Sequence, residues 1–370
     1  MSSEQSSSAS RPRLATGTIV RDTYTVVELL GSGRFADAYL VRHRFMGMQV
    51  MKLLVDGLED SDRMEGLHEA FLLSRIAHPG IIRVFDANRI EGDLGGHPYI
   101  TMEYASGGTL SEMLEECDGG LNLDAALDLG WQIANAIGHA HRIDGGVVHR
   151  DVKPDNILLE TSAANGLQVR LGDFGLAARV DHLLKVVGAG GTILYMSPES
   201  LRGFETPASD VFSAGLVLYE MLAGTLPYPR HALSDVRGAV DIQRRLAELQ
   251  ASDLPSPSYF DRSIPPDVDS VVARSLHADI EFRFRDGVEF SHAIDACRHV
   301  RRDPTVVALL DLHRNEIKTV FSLAAEPETI AKAVVRLDSL LDENSELVRP
   351  YLPHLRQLRV QAHRYQESSS

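Results

Sequence analysis

The sequence predicts an α+β fold with two lobes, a small β-rich lobe followed by a larger α-helical one. Short strand-like runs dominate residues 23–104. After the turn Ser106-Gly-Gly108, the apolar residues recur at helical spacing, and this continues to about residue 300. Strands and helices that occupy separate blocks of a chain are typical of an α+β arrangement.

The first lobe is predicted to contain five strands and one helix. The strand-like runs are residues 24–30, 38–41, 49–54, 81–85 and 99–104, and the helix is expected at 63–76. A glycine turn, Gly31-Ser-Gly33, follows the first run. His78-Pro-Gly80 ends the helix, because proline disfavours helical backbone at the residue before it.

The rest of the chain is predicted to be mainly helical, beginning with helices at 110–116 and 123–143. Three more helical stretches are expected beyond Asp303-Pro304, as an extension at 303–370. That extension either packs on the large lobe or serves dimerisation, partner binding or regulation. The predicted domains are a Ser-rich disordered tail at 1–20, a domain at 21–300 whose lobes meet near residues 104 and 105, and the extension.

Bulk composition argues against several classes of protein. The 37 Lys and Arg against 52 Asp and Glu leave a net charge of −15, whereas nucleic-acid binding needs a basic face. The two cysteines form no CxxC pair, which favours a reducing compartment. We find no signal peptide and no run of roughly 18 apolar residues that would span a membrane. A soluble, cytoplasmic protein is expected.

Two signals in the first lobe are compatible with phosphate binding. The glycines at 31 and 33 let a backbone approach phosphates closely, although an ordinary hairpin turn explains them as well. Dinucleotide binding fits less well, because a strand and not a helix follows them. Lys52 ends an apolar run and could hold phosphates, but a lone lysine is more often a surface residue.

Two later motifs are far more specific. They are His149-Arg-Asp-Val-Lys-Pro-Asp-Asn156 and Asp173-Phe-Gly175. With the glycine turn and Lys52, they resemble the eukaryotic-like serine/threonine protein kinase family over about residues 22–300. The resemblance implies transfer of the ATP γ-phosphoryl group to Ser or Thr of protein substrates, with autophosphorylation. The motif spacing is more typical of bacterial than of metazoan members.

The resemblance also implies residue roles. Asp151 would orient the substrate hydroxyl and accept its proton, Lys153 would offset charge at the γ-phosphate, and Thr192 would hydrogen-bond both. Asn156 and Asp173 would hold Mg²⁺ through oxygen ligands.

The ATP pocket is expected to draw on both lobes. Its implied residues are Leu30, Gly31, Ser32, Gly33, Arg34, Phe35, Ala36, Ala38, Val50, Lys52, Glu69, Met102, Glu103, Ala105 and Leu158. Glu69 would fix Lys52, although Glu65 lies one helical turn earlier on a similar face. Met102 resembles the gatekeeper of the adenine pocket.

The region after the second motif resembles a substrate-docking loop, Gly191 to Glu199. Arg283 is the expected partner of Glu199, although Arg285 is close by. Asp210 resembles the buried acid that braces the catalytic loop. These features favour a protein substrate over a small molecule.

The chain departs from the family pattern in several places. Ala36 replaces the third glycine of the phosphate loop and Ala38 replaces a valine, and both changes are expected to tune the pocket without inactivating it. The spacing from Asp151 to Asp173 is longer than expected, and the extra residues are predicted to lie in a polar turn at 160–168.

The segment that normally carries an activating phosphate is also unusual. Arg150 marks kinases that await such a phosphate, but Leu176 to Gly191 contains no Ser, Thr or Tyr. We therefore expect no ordinary phosphosite there, with Asp181 as one candidate for a fixed negative charge.

Two alternatives to an active protein kinase remain at this stage. One is a pseudokinase that binds nucleotide or acts as a scaffold, and the other is a small-molecule kinase. The charged residues at 52, 69, 151 and 173, with Asn156, argue against the first. A homodimer through the C-terminal helices or the kinase lobe is possible.

Overall fold

The computed structural model describes residues 14–32, 36–54, 76–90, 96–117, 120–143, 146–162, 166–174, 192–228, 236 and 239–302. Its described strands are β1 (Ile19–Val20), β2 (Tyr24–Ser32), β3 (Ala36–His43), β4 (Gly47–Leu54), β5 (Val84–Arg89), β6 (Pro98–Glu103), β7 (Ile157–Ser162) and β8 (Gly166–Leu171). Its described α-helices are α1 (Leu110–Glu116), α2 (Leu123–Arg142), α3 (Pro207–Ala223), α4 (Ala239–Gln250), α5 (Pro266–Ser275) and α6 (Gly287–Arg302). The predicted α+β order of a strand-rich part followed by a helical part is confirmed.

The first lobe is a six-stranded antiparallel sheet with the order β1-β2-β3-β4-β6-β5. Ala38 pairs with Lys52, and Val50 pairs with Met102. Directly paired residues point to the same side of a sheet, so these four share one face. The other face holds a separate apolar cluster that includes Tyr39.

The second lobe is built around α2 and α3, which carry most of the main core. Asn122 begins α2, and its Oδ1 accepts a hydrogen bond from the Ala125 backbone 3.0 Å away. Thr206 caps α3, and Pro207 occupies its first turn, where proline needs no hydrogen-bond donor. These signals fix where α3 begins, three residues before Asp210.

Three predicted boundaries were wrong. The strand expected at 81–85 is β5 at Val84–Arg89, because Ile81 and Ile82 pair with Leu171 of β8 instead. The polar turn expected at 160–168 continues β7 and β8 as a longer hairpin, with Ser162 opposite Gly166.

The third error concerns the predicted tail at 1–20. Leu14 is buried against the sheet, and β1 begins at Ile19. Residues 1–13 lie outside the described part of the chain, as do the predicted helix at 63–76, except for Ile76, and the extension at 303–370. Among the described helices, none has both the length and the apolar character to cross a bilayer.

Candidate active site

The loop that carries Asp151 is held in place by hydrogen bonds from its backbone to Asp210. This aspartate lies in the first turn of α3 and is 1% exposed. Its Oδ2 accepts a hydrogen bond from the His149 backbone at 2.7 Å, and its Oδ1 accepts one from the Arg150 backbone at 2.8 Å. His141 of α2 lies 2.8 Å from Oδ2 through its Nε2. Asp210 therefore braces the catalytic loop, as the sequence resemblance implied.

His149 connects this loop to the residues before Asp173. Its Nδ1 accepts from the Asp151 backbone at 3.3 Å, so its Nε2 donates to the Gly172 carbonyl at 2.9 Å. Burial lowers the pKa of His149, which keeps the ring neutral and able to play both roles. The Phe174 ring packs on it at a centroid distance of 4.3 Å.

Two polar side chains donate hydrogen bonds to Asp151. The Lys153 ammonium donates to Asp151 Oδ2 at 3.0 Å, and Asn156 Nδ2 donates to the same oxygen at 2.9 Å. Asn156 Nδ2 also donates to the Asp151 backbone carbonyl at 2.8 Å. Two donors on one oxygen fix the rotamer of the Asp151 side chain.

Lys52 crosses from the first lobe to the second. Its ammonium forms an ion pair with Oδ1 of Asp173, which follows β8. Burial raises the pKa of the Asp173 carboxyl, but the Lys52 ammonium outweighs burial and holds that pKa below its usual range. Asp173 also adopts a φ of 57°, a strained left-handed conformation that clusters at functional sites.

Asn156 and Asp173 offer oxygen atoms that suit Mg²⁺. The two residues are neighbours at one end of the β7–β8 hairpin, where the Gly172 backbone donates to the Asn156 carbonyl at 2.9 Å. Because Nδ2 of Asn156 is engaged by Asp151, its Oδ1 is the atom suited to a cation. Proteins usually bind Mg²⁺ through one or two of their own oxygen ligands, and phosphate oxygens and water complete the coordination. One carboxylate and one amide oxygen match that pattern. These residues fit the metal.

The predicted adenine pocket has apolar walls in both lobes. Val50, Ala105 and Leu158 are partly buried and pack against the main core, next to the buried Met102. Leu30 at the end of β2 is 45% exposed. The pocket residues Gly31, Ser32, Ala36 and Ala38 belong to the paired strands β2 and β3.

Other predicted site residues fall outside the described part. They are Gly33, Arg34, Phe35 and Glu69, so the predicted pairing of Glu69 with Lys52 stays a prediction. Thr192 begins a short 3-10 helix, Thr192–Tyr195, but its side chain is outside the described part as well.

Comparison with known proteins agrees with this geometry. The model of the protein kinase domain family matches residues 24–296, which is most of the chain. The chain belongs to the protein kinase family. The kinase is 34% identical over 284 residues to a probable serine/threonine-protein kinase of Streptomyces coelicolor, covering 74% of this chain and 40% of that protein.

Other relatives give the same result. The kinase is 32% identical to serine/threonine-protein kinase PknB of Mycobacterium leprae, over 72% of this chain and 42% of the relative. It thus spans about two-fifths of the length of these curated relatives. The crystal structure of the PknI kinase domain of Mycobacterium tuberculosis superposes with a TM-score of 0.58 at 25% identity, covering 77% of this chain and 99% of that one.

Glu199, the last residue of the segment that was predicted to be a substrate-docking loop, is held by side chains of the second lobe. Glu199 receives two hydrogen bonds from Arg283, at 2.7 and 3.2 Å, and a third from Ser209 at 2.7 Å. Burial raises the pKa of Glu199, but Arg283 outweighs it, and the pKa falls below its usual range. Arg285 pairs with Glu289 instead, so the prediction of Arg283 as the anchor is confirmed.

Three ion pairs of this kinase were not predicted. Arg150 forms an ion pair with Glu205, with 2.8 Å between Nε and Oε2. Arg170 of β8 forms ion pairs with Glu160, at 2.7 Å, and with Glu103 at the end of β6, at 3.5 Å. None of the three pairs has a local sequence signal, because no motif contains both partners.

Proposed function

We propose that this kinase transfers the γ-phosphoryl group of ATP to Ser or Thr hydroxyls of protein substrates, itself included, with Mg²⁺. The observation that carries the proposal is the network in which Lys153 and Asn156 both donate to Oδ2 of Asp151. Phosphoryl transfer needs little covalent chemistry from the protein, and positioning of charged groups supplies most of the catalysis.

The geometry supports specific roles. Because two donors engage Oδ2 of Asp151, we assign the proton of the substrate hydroxyl to Oδ1. The hydroxyl oxygen then bonds to the γ-phosphorus as the bond to the β–γ bridging oxygen breaks, and ADP leaves. Lys153, 3.0 Å from Asp151, offsets negative charge on the transferred group. Lys52 would hold the α- and β-phosphates. When bound, Mg²⁺ neutralises charge on the β- and γ-phosphates, and Asn156 and Asp173 would hold it.

A protein substrate is supported by the docking loop. Residues Ile193 to Met196 are buried, and the loop is tied to α3 through Ser213, whose hydroxyl donates to the Tyr195 carbonyl at 2.7 Å. Such an anchored loop suits the backbone of an extended peptide better than a small metabolite. The names of the relatives favour Ser and Thr as acceptors. The cysteine pattern favours a reducing compartment, and we propose the cytoplasm.

Incubation of the kinase with labelled ATP, Mg²⁺ and a generic basic protein tests this proposal. Wild type should label itself and the substrate, and Asp151→Asn should lower kcat at least about 100-fold. Lys52→Met should also abolish most transfer. Asp155→Asn is the matched control, since Asp155 lies in the same loop but is exposed, and it should retain activity.

Two results would count against the proposal. A wild-type protein that binds ATP but labels nothing would favour a pseudokinase. Equal activity of wild type and Asp151→Asn would remove Asp151 from the reaction.

A further inference from the structure

Arg150 has a guanidinium group that needs a negatively charged partner. It directly precedes Asp151, so any movement of its backbone moves the catalytic carboxylate. In a kinase that uses an activating phosphate, this arginine pairs with the phosphate. Residues 176–191 offer no hydroxyl for that modification. Some other group must neutralise the guanidinium in the active protein.

The structure supplies such a group in Glu205. Arg150 Nε and Glu205 Oε2 are 2.8 Å apart, and the two side chains are 36% and 11% exposed. A pair that is partly removed from water is screened less than a surface pair. Glu205 lies outside residues 176–191, and its carboxylate needs no phosphorylation to carry a negative charge.

Glu205 is also attached to the element that holds the Arg150 backbone. It immediately precedes Thr206, the residue that caps α3, and Asp210 in the first turn of the same helix accepts the Arg150 N–H at 2.8 Å. One end of α3 therefore contacts both the backbone and the side chain of Arg150.

This double attachment has a conformational consequence. Arg150 has a φ of 69°, in the left-handed region that a residue with a side chain rarely adopts. Such a conformation persists where the surroundings over-determine it. Asp210 accepts a hydrogen bond from the Arg150 backbone, and Glu205 forms an ion pair with the Arg150 side chain.

We propose that Glu205 is a permanent counter-charge that positions Arg150, and through it Asp151, without phosphorylation of residues 176–191. This inference rests on the proposed kinase activity. Glu205 is a positioning residue, since it acts on the reaction only through Arg150.

Steady-state kinetics of Glu205→Gln test the proposal. The change keeps the shape of the side chain and removes its charge, and we expect kcat to fall about tenfold while KM for ATP stays unchanged. Glu205→Asp should recover part of the loss, because it restores the charge. Glu248→Gln is the matched control, since Glu248 is an exposed helical residue that pairs with Arg245, and its kcat should equal that of wild type.

A double-mutant cycle identifies the partner. Arg150→Ala should lower kcat by a similar factor, and Arg150→Ala/Glu205→Gln should lower it no further than either single change. Wild type treated with phosphatase should keep its kcat. Independent, multiplicative losses would overturn the proposal, as would full activity of Glu205→Gln. So would a stoichiometric phosphate on Thr192 or on any other residue that activity requires.

The four proteins of this cycle are wild type, Arg150→Ala, Glu205→Gln and the double variant. They also separate this inference from the proposed function. If wild type transfers no phosphate, the proposed function fails. Urea unfolding then still tests the ion pair, because non-additive unfolding free energies would support the Arg150–Glu205 contact and additive ones would overturn it.

Discussion

The Lys52 ammonium forms an ion pair with Oδ1 of Asp173, joining strand β4 of the first lobe to the end of β8 in the second. The side chain expected to bind phosphates thus contacts the side chain expected to bind Mg²⁺. The Lys52 ammonium holds the pKa of the Asp173 carboxyl below its usual range.

Replacing Lys52 should change how stability depends on pH. In wild type the Asp173 pKa is depressed, so its contribution to stability is present above the ordinary carboxyl pKa of about 4 and is lost as pH falls through the folded value. In Lys52→Met, burial remains the largest influence on Asp173, and it raises that pKa. The variant should therefore be most destabilised near neutral pH, and its deficit should shrink toward about pH 4.

Urea unfolding of both proteins between about pH 7 and about pH 4 measures this difference. Asp173→Asn provides the control background, since it removes the titrating group. In that background the effect of Lys52→Met should not vary with pH. A deficit that stays constant with pH when Asp173 is intact would show that the pair does not shift the carboxyl pKa.

Arg283 should be far more important to stability than Arg285, two residues later. Arg283 is 1% exposed, binds Glu199 through two nitrogens, and donates to the Ala208 and His277 carbonyls at 2.9 and 3.0 Å. Arg283→Met leaves Glu199 partly buried without this partner, so we expect a loss of about 3–5 kcal/mol. Arg285 has a side chain that is 88% exposed, and Arg285→Met should leave the unfolding midpoint unchanged. Equal losses from the two changes would contradict this prediction.

The features that were predictable from sequence have roles that require particular atoms at particular spacings. Lys52, Asp151 and Asp173 belong to such motifs. The helix at 110–116 was predicted with its observed bounds from its sequence pattern, and the structure shows that Thr109 and Glu112 form a capping box at its start. The pairing of Glu199 with Arg283 was predictable only from a family resemblance.

The features that were missed depend on tertiary contacts. Ile81 and Ile82 have strand-forming side chains, but their hydrogen-bond partner is in β8, about 90 residues later, so local propensity misplaced β5. In the hairpin at 160–168, the described side chains at 160, 161 and 166–168 are exposed or half-buried and lack the alternation of a buried strand. The Arg150–Glu205 pair forms because α3 approaches the catalytic loop, and no local pattern indicates that approach.

Asp210→Asn should impair the reaction more than it impairs folding. The carboxylate accepts hydrogen bonds from the His149 and Arg150 backbones on separate oxygens, and an amide has only one oxygen to accept them. We expect the loop before Asp151 to shift and kcat to fall about 100-fold, since small misplacements are costly in positioned reactions. Kinetics on folded protein measure this, with the exposed Asp253→Asn as control. An unchanged kcat would mean that Asp210 does not position the loop.

Tyr195→Phe should weaken the docking loop and leave the nucleotide pocket intact. The Tyr195 hydroxyl donates to Glu220 of α3, and the two residues are 5% and 4% exposed. Phenylalanine keeps the ring but removes the donor from a buried carboxylate, which should cost about 1–3 kcal/mol in unfolding free energy. Because the loop is expected to bind the substrate backbone, KM for a protein substrate should rise while KM for ATP stays constant.

Tyr259→Phe is the control, since Tyr259 is 75% exposed and should behave like wild type. Peptide mapping of active enzyme should find no phosphate on Tyr195, because its buried hydroxyl is engaged by Glu220. A rise in KM for ATP alone, or a phosphate on Tyr195, would contradict this assignment.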